Sequence, residues 1–202
     1  IMALISAGTT LLDAGALAAD ATNLVKLSST SFSESGNASI TFTSGINSTY
    51  KIYKFEFINV HPATNDVDFG VQFSIDGGSN YDVAKTGSGH QLQGDEAGSS
   101  FTSGIQSIHN AAQVTARTIL THSTGNGGDE QFSGHMFLYN PASTTFVKSY
   151  FGHFQTYHAN NLPILHTTQG YANTTSAINA VKFDYTSGNI DTGTFTMYGV
   201  KT

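Results

Sequence analysis

No cysteine occurs in the 202 residues, and tryptophan is absent too. Without thiols the chain has neither a disulfide framework nor a thiolate metal site, which excludes two common stabilising devices of exported domains. Charge is almost as scarce: 11% of residues are Asp, Glu, Lys or Arg, with 8 basic against 14 acidic groups and a formal charge of −6. Eight dispersed cations make no basic patch, which argues against nucleic acid as a partner, because phosphate contacts need clustered Lys and Arg. No apolar run is long enough to span a bilayer, so no membrane insertion is expected. The start, Ile1-Met2-Ala3-Leu4-Ile5, lacks the basic region of a secretion signal, the first Lys being Lys26, and synthesis in a cytoplasm is expected.

Gly, Ser, Thr and Asn fill the space that charge leaves, so the surface is covered by neutral hydroxyl and amide groups. Such a surface suits a secreted, extracellular or virion protein that packs against copies of itself, with stability drawn from packing and oligomer contacts.

Residues 1–30 read as an N-terminal arm. Leu4, Ile5, Leu11, Leu12 and Leu24 recur there among Gly8, Gly15 and Thr/Ala runs, with neither a helical nor a strand period. The pattern predicts a segment that either frays or docks in an extended form on a neighbouring subunit, the regular Leu spacing favouring docking. From residue 31 onward a period of two takes over. Val67, Phe69, Val71, Phe73 and Ile75 make one apolar face, and Tyr53, Phe55 and Phe57 alternate with Lys54 and Glu56. A turn follows at Val60 to Asp66, another at Asp76 to Asp82, and residues 86–104, rich in Gly and Ser, read as the longest loop. Further strands are expected at Val114 to Thr121, Phe132 to Asn140, Thr145 to Tyr157, Ile178 to Tyr185 and Thr194 to Val200, with a hairpin turn at Pro141 to Thr144. Roughly eight strands and no amphipathic helix indicate an all-β, two-sheet antiparallel β-sandwich, jelly-roll-like, over residues 31–202.

The chemistry-bearing residue types do not converge. Eight histidines include no His-x-His pair, and His135 and His153, which flank one expected hairpin, read as polar-face or interface residues. Asp66, Asp68 and the loop Asp76 to Asp82 do not match a calcium loop and read as turn formers. There is no Gly-x-Ser-x-Gly elbow and no convincing carboxylate pair for acid–base work. No catalytic residue, metal ligand or cofactor is assigned, and the chain is not expected to be an enzyme.

Two surfaces stand out instead. Between Phe146 and Tyr157 both faces of one strand are aromatic: Phe146, Tyr150 and Phe154 on one, Phe151 and Tyr157 on the other. Burial on both sides follows as an expectation, either inside the sandwich and under a loop or against another subunit, with the subunit contact favoured. The loops holding Asp76, Asn80 and Tyr81, then Asn126 and Asp129, then Asn160, carry the Tyr, Asn and Asp types with which sandwich proteins hold sugars.

The blocks Phe42 to Tyr50, Phe57 to Asp68, Ser74 to Tyr81, Phe137 to Phe146, Tyr171 to Ala180 and Ser187 to Gly199 occur in an order that resembles a family of virion structural proteins of tailed bacteriophages, common in phages of marine bacteria and cyanobacteria. The similarity runs over residues 38–200 and leaves out the arm and the segment Lys85 to Ala112. It implies a particle component found in fibres, appendages or surface decoration, and it brings no catalytic residues. The expectation is a non-enzymatic homo-oligomer, a trimer, made in the host bacterial cytoplasm and resident in the virion beside other virion proteins. A glycan-binding host-attachment module is the alternative.

Overall fold

The computed structural model describes residues 23–34 and 36–202 in full and, before them, the backbone of three short strands. These are β1 (Leu4–Ser6), β2 (Thr9–Asp13) and β3 (Ala16–Leu17), followed by β4 (Leu24–Phe32), β5 (Ile40–Phe42), β6 (Ile52–Pro62), β7 (Val67–Ser74) and β8 (Lys85–Gly94). Then come β9 (Phe101–Ile105), a 3-10 turn at Ser107–His109, β10 (Ala111–Val114), β11 (Thr118–Thr124), β12 (Phe132–Tyr139) and β13 (Lys148–His158). The last three strands are β14 (Leu162–Ala172), β15 (Ala180–Tyr185) and β16 (Ile190–Val200).

The first three strands form an antiparallel meander in which Leu12 is in register with Leu4 on one side and Leu17 on the other. Within the expected arm, β1, β2 and β3 thus pair with one another. The side chains of Leu4, Ile5, Leu11 and Leu12 lie outside the described residues. The arm's expected end at residue 30 falls inside β4, which pairs along β16 from Val200↔Leu24 to Gly193↔Phe32. Leu24 thus belongs to an edge strand of the main body.

The other thirteen strands share one antiparallel sheet, curled until it is nearly a barrel. One run is β4-β16-β6-β12-β13-β14-β8, with β9 and β10 pairing the far side of β8. The other is β11-β7-β15-β5, and the pair Thr124↔His158 joins it to the end of β13. The all-β reading holds. The hydrogen-bonded ladder is continuous, where two separate sheets had been expected.

Alternation dictates the core. In β6, Tyr53, Phe55 and Phe57 point inward until a bulge at Asn59, whose φ is 50°, moves the inward positions to Val60 and Pro62. The strand thereby continues through residues whose Pro and Asn suggested a turn. Phe57 is the hub: its ring lies 5.0–6.1 Å, centroid to centroid, from those of Phe69, Phe132, Phe154, Phe183 and Phe195. Ile75, expected at the end of the apolar face of β7, lies beyond the strand and is exposed. The expected loop at 86–104 is instead the hairpin β8–β9, and β14 was not foreseen.

Candidate functional site: an uncharged sheet face

Four neighbouring strands build one broad outward face. β13 pairs with β14 along its whole length and β14 pairs with β8, so outward residues line up in rows. Successive rows are Ser149–Tyr171–Thr86, Phe151–Gln169–Ser88, His153–Thr167–His90 and Gln155–Leu165–Leu92. β12 extends three of these rows, placing Phe137 opposite Phe151, His135 opposite His153 and Ser133 opposite Gln155. No Asp, Glu, Lys or Arg occupies an outward position on these four strands. Charges border it: Asp95 lines the concavity beside Leu92 and Leu165, Glu96 accepts from the Tyr157 hydroxyl, and one strand over in β6 Lys54 Nζ donates to Glu56 Oε1 at 2.8 Å. His135 adds no charge near neutral pH, because burial, then Lys54 and His153, push its pKa down.

The face has two concavities. At one end, a trough of about 500 Å³ lies among Tyr139, Phe151 and Tyr171, with Ser149, Gln169, Ser88 and Thr86 between them. At the other, Leu92 and Leu165 are in register, Pro163 and Gln155 flank them, and the Phe101 ring lies against Gly94, enclosing about 310 Å³. The edge strand β9 adds Phe101 and Ile105, which are 72% and 76% exposed.

The aromatic positions expected at an assembly interface divide. Tyr150 and Phe154 are core residues, packed on Phe73 and Phe57 respectively, and are corrected on that ground. Phe146 precedes β13 and is exposed in the β12–β13 connection. Phe151 and Tyr157 lie outward, half-buried, and the Tyr157 hydroxyl donates to Glu96 Oε1 at 3.0 Å. So β13 does carry aromatics on both sides, with its inner side facing the protein's own core.

The expected sugar-binding loops are not one platform. Asp76 follows the end of β7, whereas the Asn126 loop follows Thr124, which pairs with Val67 at the strand's beginning. Asn126 donates its backbone N–H to Asn65 Oδ1, and Asn160 donates its own to His158 Nδ1. The Asp76 carboxylate accepts from the Asn80 backbone and side-chain N–H groups and from the Ser74 hydroxyl, at 2.7–2.9 Å. The Asn80 backbone bond, then the Ser74 and Asn80 side chains, lower its pKa to about 2. Tyr81 is half-buried, with Lys182 Nζ 5.3 Å from its ring centre. These residues shape their own loop.

Asp129 lies on a separate, acidic cleft of about 520 Å³ with Asn59, His61, Glu130, Gln131 and Asp191. His61 faces acceptors on both sides: Nε2 is 3.0 Å from Gly127 O and Nδ1 is 3.1 Å from Asp191 Oδ2. Glu130 is buried and accepts the Gly127 N–H, so both groups brace the turn. Inside the sheet, His109 and His166 are fully buried and 3.2 Å apart, Nε2 to Nδ1. Among the described residues no three His, Asp or Glu side chains are placed to hold a metal ion, and no helix is long and apolar enough to cross a membrane.

Most of the trough was missed from sequence. Phe151 was singled out, but Tyr139, Tyr171 and Gln169 come from β12 and β14, and only cross-strand register brings them together. The chain matches no protein family, no curated protein and no solved structure.

Proposed function

We propose that the protein is a non-enzymatic structural subunit of a tailed-bacteriophage particle, a homotrimeric component of capsid decoration, fibre or tail appendage. The observation that carries the assembly part is the uncharged outward face of β12, β13, β14 and β8, which ends in the exposed apolar group Leu92, Leu165, Phe101 and Ile105. Depletion of charge with exposed aromatic and aliphatic side chains marks the centre of a protein–protein contact. An unpaired edge strand such as β9 would otherwise invite uncontrolled pairing, and burial in a closed symmetric contact protects it. The resemblance to phage virion proteins supports the particle setting. The jelly-roll reading belongs to the same proposal: β11-β7-β15-β5 forms a short wall linked to the long one through the single register pair Thr124↔His158, as two sheets of a sandwich joined at one corner.

Light scattering of the full chain tests the assembly. The expected result is a trimer for the natural sequence and a monomer for the double variant Leu165→Lys, Ile105→Lys, since two buried ammonium groups without partners oppose association. A monomer at every concentration of the natural chain would overturn the reading. Mass spectrometry of purified particles tests the setting, and particles lacking this chain would overturn that part.

A further inference from the structure

The trough on the outward face differs from the Asp76 and Asn126 loops in what its polar groups are doing. The side chains of Ser88, Ser149 and Gln169 and the hydroxyls of Tyr139 and Tyr171 make no hydrogen bond within the described residues, whereas the Asp76, Asn80 and Asn126 groups are engaged locally. Ser149 and Tyr171 are register partners, Phe151 and Gln169 are the next such pair outward, and Tyr139 is the residue after Leu138, which pairs with Tyr150. Two tyrosines therefore flank a serine, with a phenylalanine one row on. The rings present apolar surface and the residues between them present free donors and acceptors.

We propose that this trough is a binding site for a neutral saccharide, with the C–H faces of the sugar against Tyr171, Phe151 and Tyr139 and its hydroxyls bonded to Gln169, Ser149 and Ser88. Each competing ligand class meets an obstacle. A carboxylate or phosphate would lose hydration with no cation to replace it, because Lys54 is already paired with Glu56. A purely apolar ligand would strip water from five hydrogen-bonding side chains and leave them unmatched. A polyhydroxylated, uncharged ligand satisfies both the rings and the free hydroxyl and amide groups. The trough shares the outward face with the assembly contact proposed above but lies at its other end: Gln169 is four residues from Leu165 on β14, about 13 Å along a strand.

Calorimetric titration of the full chain with maltohexaose, cellohexaose, mannohexaose and galactohexaose, and with hyaluronan hexasaccharide as the charged probe, decides the matter. The expected result is saturable binding of at least one neutral hexasaccharide with a Kd below about 1 mM. Tyr171→Ala and Phe151→Ala should each weaken it by about tenfold or more, while Tyr81→Ala, on the Asp76 loop, leaves it unchanged. Absence of saturable binding by all four neutral sugars at about 10 mM overturns the site, as does equal affinity for hyaluronan, or binding that survives both substitutions. Light scattering of the same variants separates the two proposals. A change of oligomeric state in Tyr171→Ala would make the trough a contact between copies and overturn the saccharide site, whereas a monomeric natural chain that binds sugar would overturn only the assembly.

Discussion

Strand glycines in this chain make room for rings. Tyr150 crosses Gly170 and Gly87, Phe154 crosses Gly134 and Gly152, His109 sits over Gly89 and Phe101 over Gly94. A Cβ at Gly134 would lie 2.7 Å from Phe154 Cα and 2.8 Å from its ring, closer than non-bonded carbon atoms come. Gly134→Ala should therefore destabilise the protein by about 1–3 kcal/mol in urea denaturation. Gly104→Ala, where nothing lies within 4 Å, should be nearly silent; equal midpoints for the two would sink the idea. The same device explains a misreading. Gly87, Gly89 and Gly94 gave residues 86–104 the composition of a loop, yet they lie in a strand and lack side chains because rings from other elements lie against them. Composition shows that glycine is present but not which ring needs the space.

At the level of elements, legibility followed the chemistry of the inward face. β7 and β15 were readable because Val67, Phe69, Val71 and Phe73, then Val181, Phe183 and Tyr185, are apolar at every second residue. β14 was not, since its inward residues include Thr168 and His166, the latter facing Gln91 from β8 and His109 from the 3-10 turn. The trough was hidden for a related reason, because four strands contribute to it and sequence does not give their order. The histidine chain has a consequence for stability. His109 Nδ1–H donates to Ile119 O, and His166 Nδ1 lies between His109 Nε2 at 3.2 Å and Gln91 Nε2 at 3.1 Å. Burial, then His109, His122 and His158, lower the His166 pKa to about 2 from its ordinary 6.5. Between those values the unfolded chain binds a proton that the folded chain refuses, so stability is lost as pH falls below 6.5. The loss from His166 alone should reach about 1.4 kcal/mol by pH 5.5. Urea midpoints from pH 7.5 to 5 measure it, and a His166→Gln variant with an undiminished slope would refute the assignment.

Across the whole molecule five of the eight cations are buried or paired with a carboxylate, while Lys26 and Lys51 are exposed. Lys85 and Lys148 are fully buried, each donating to two backbone carbonyls, and both are in register with Ala172. Arg117 and Lys182 share Asp184, and Lys54 lies on Glu56. That economy of exposed charge shapes stability in alkali. Burial lowers the Lys85 pKa to about 8 from 10.5, with Asp82 opposing, so the unfolded chain holds a proton in that window that the folded chain has released. Stability therefore rises with pH from 8 toward 10.5, by about 1.4 kcal/mol per unit for one such group, and Lys148 shifts in the same direction. Buried phenols act oppositely. Tyr150 is raised to about 12 by burial, and Tyr185 is raised too, so above their ordinary 10.0 they ionise in the unfolded chain first and stability falls. The two effects together predict a stability maximum near pH 10, unusual for a chain of net charge −6. Urea denaturation from pH 7.5 to 11.5 should show the rise and then the fall. Lys85→Met should flatten the rise without moving the fall, and a steady decline from pH 8 in the natural chain would show that Lys85 keeps its proton in the folded state.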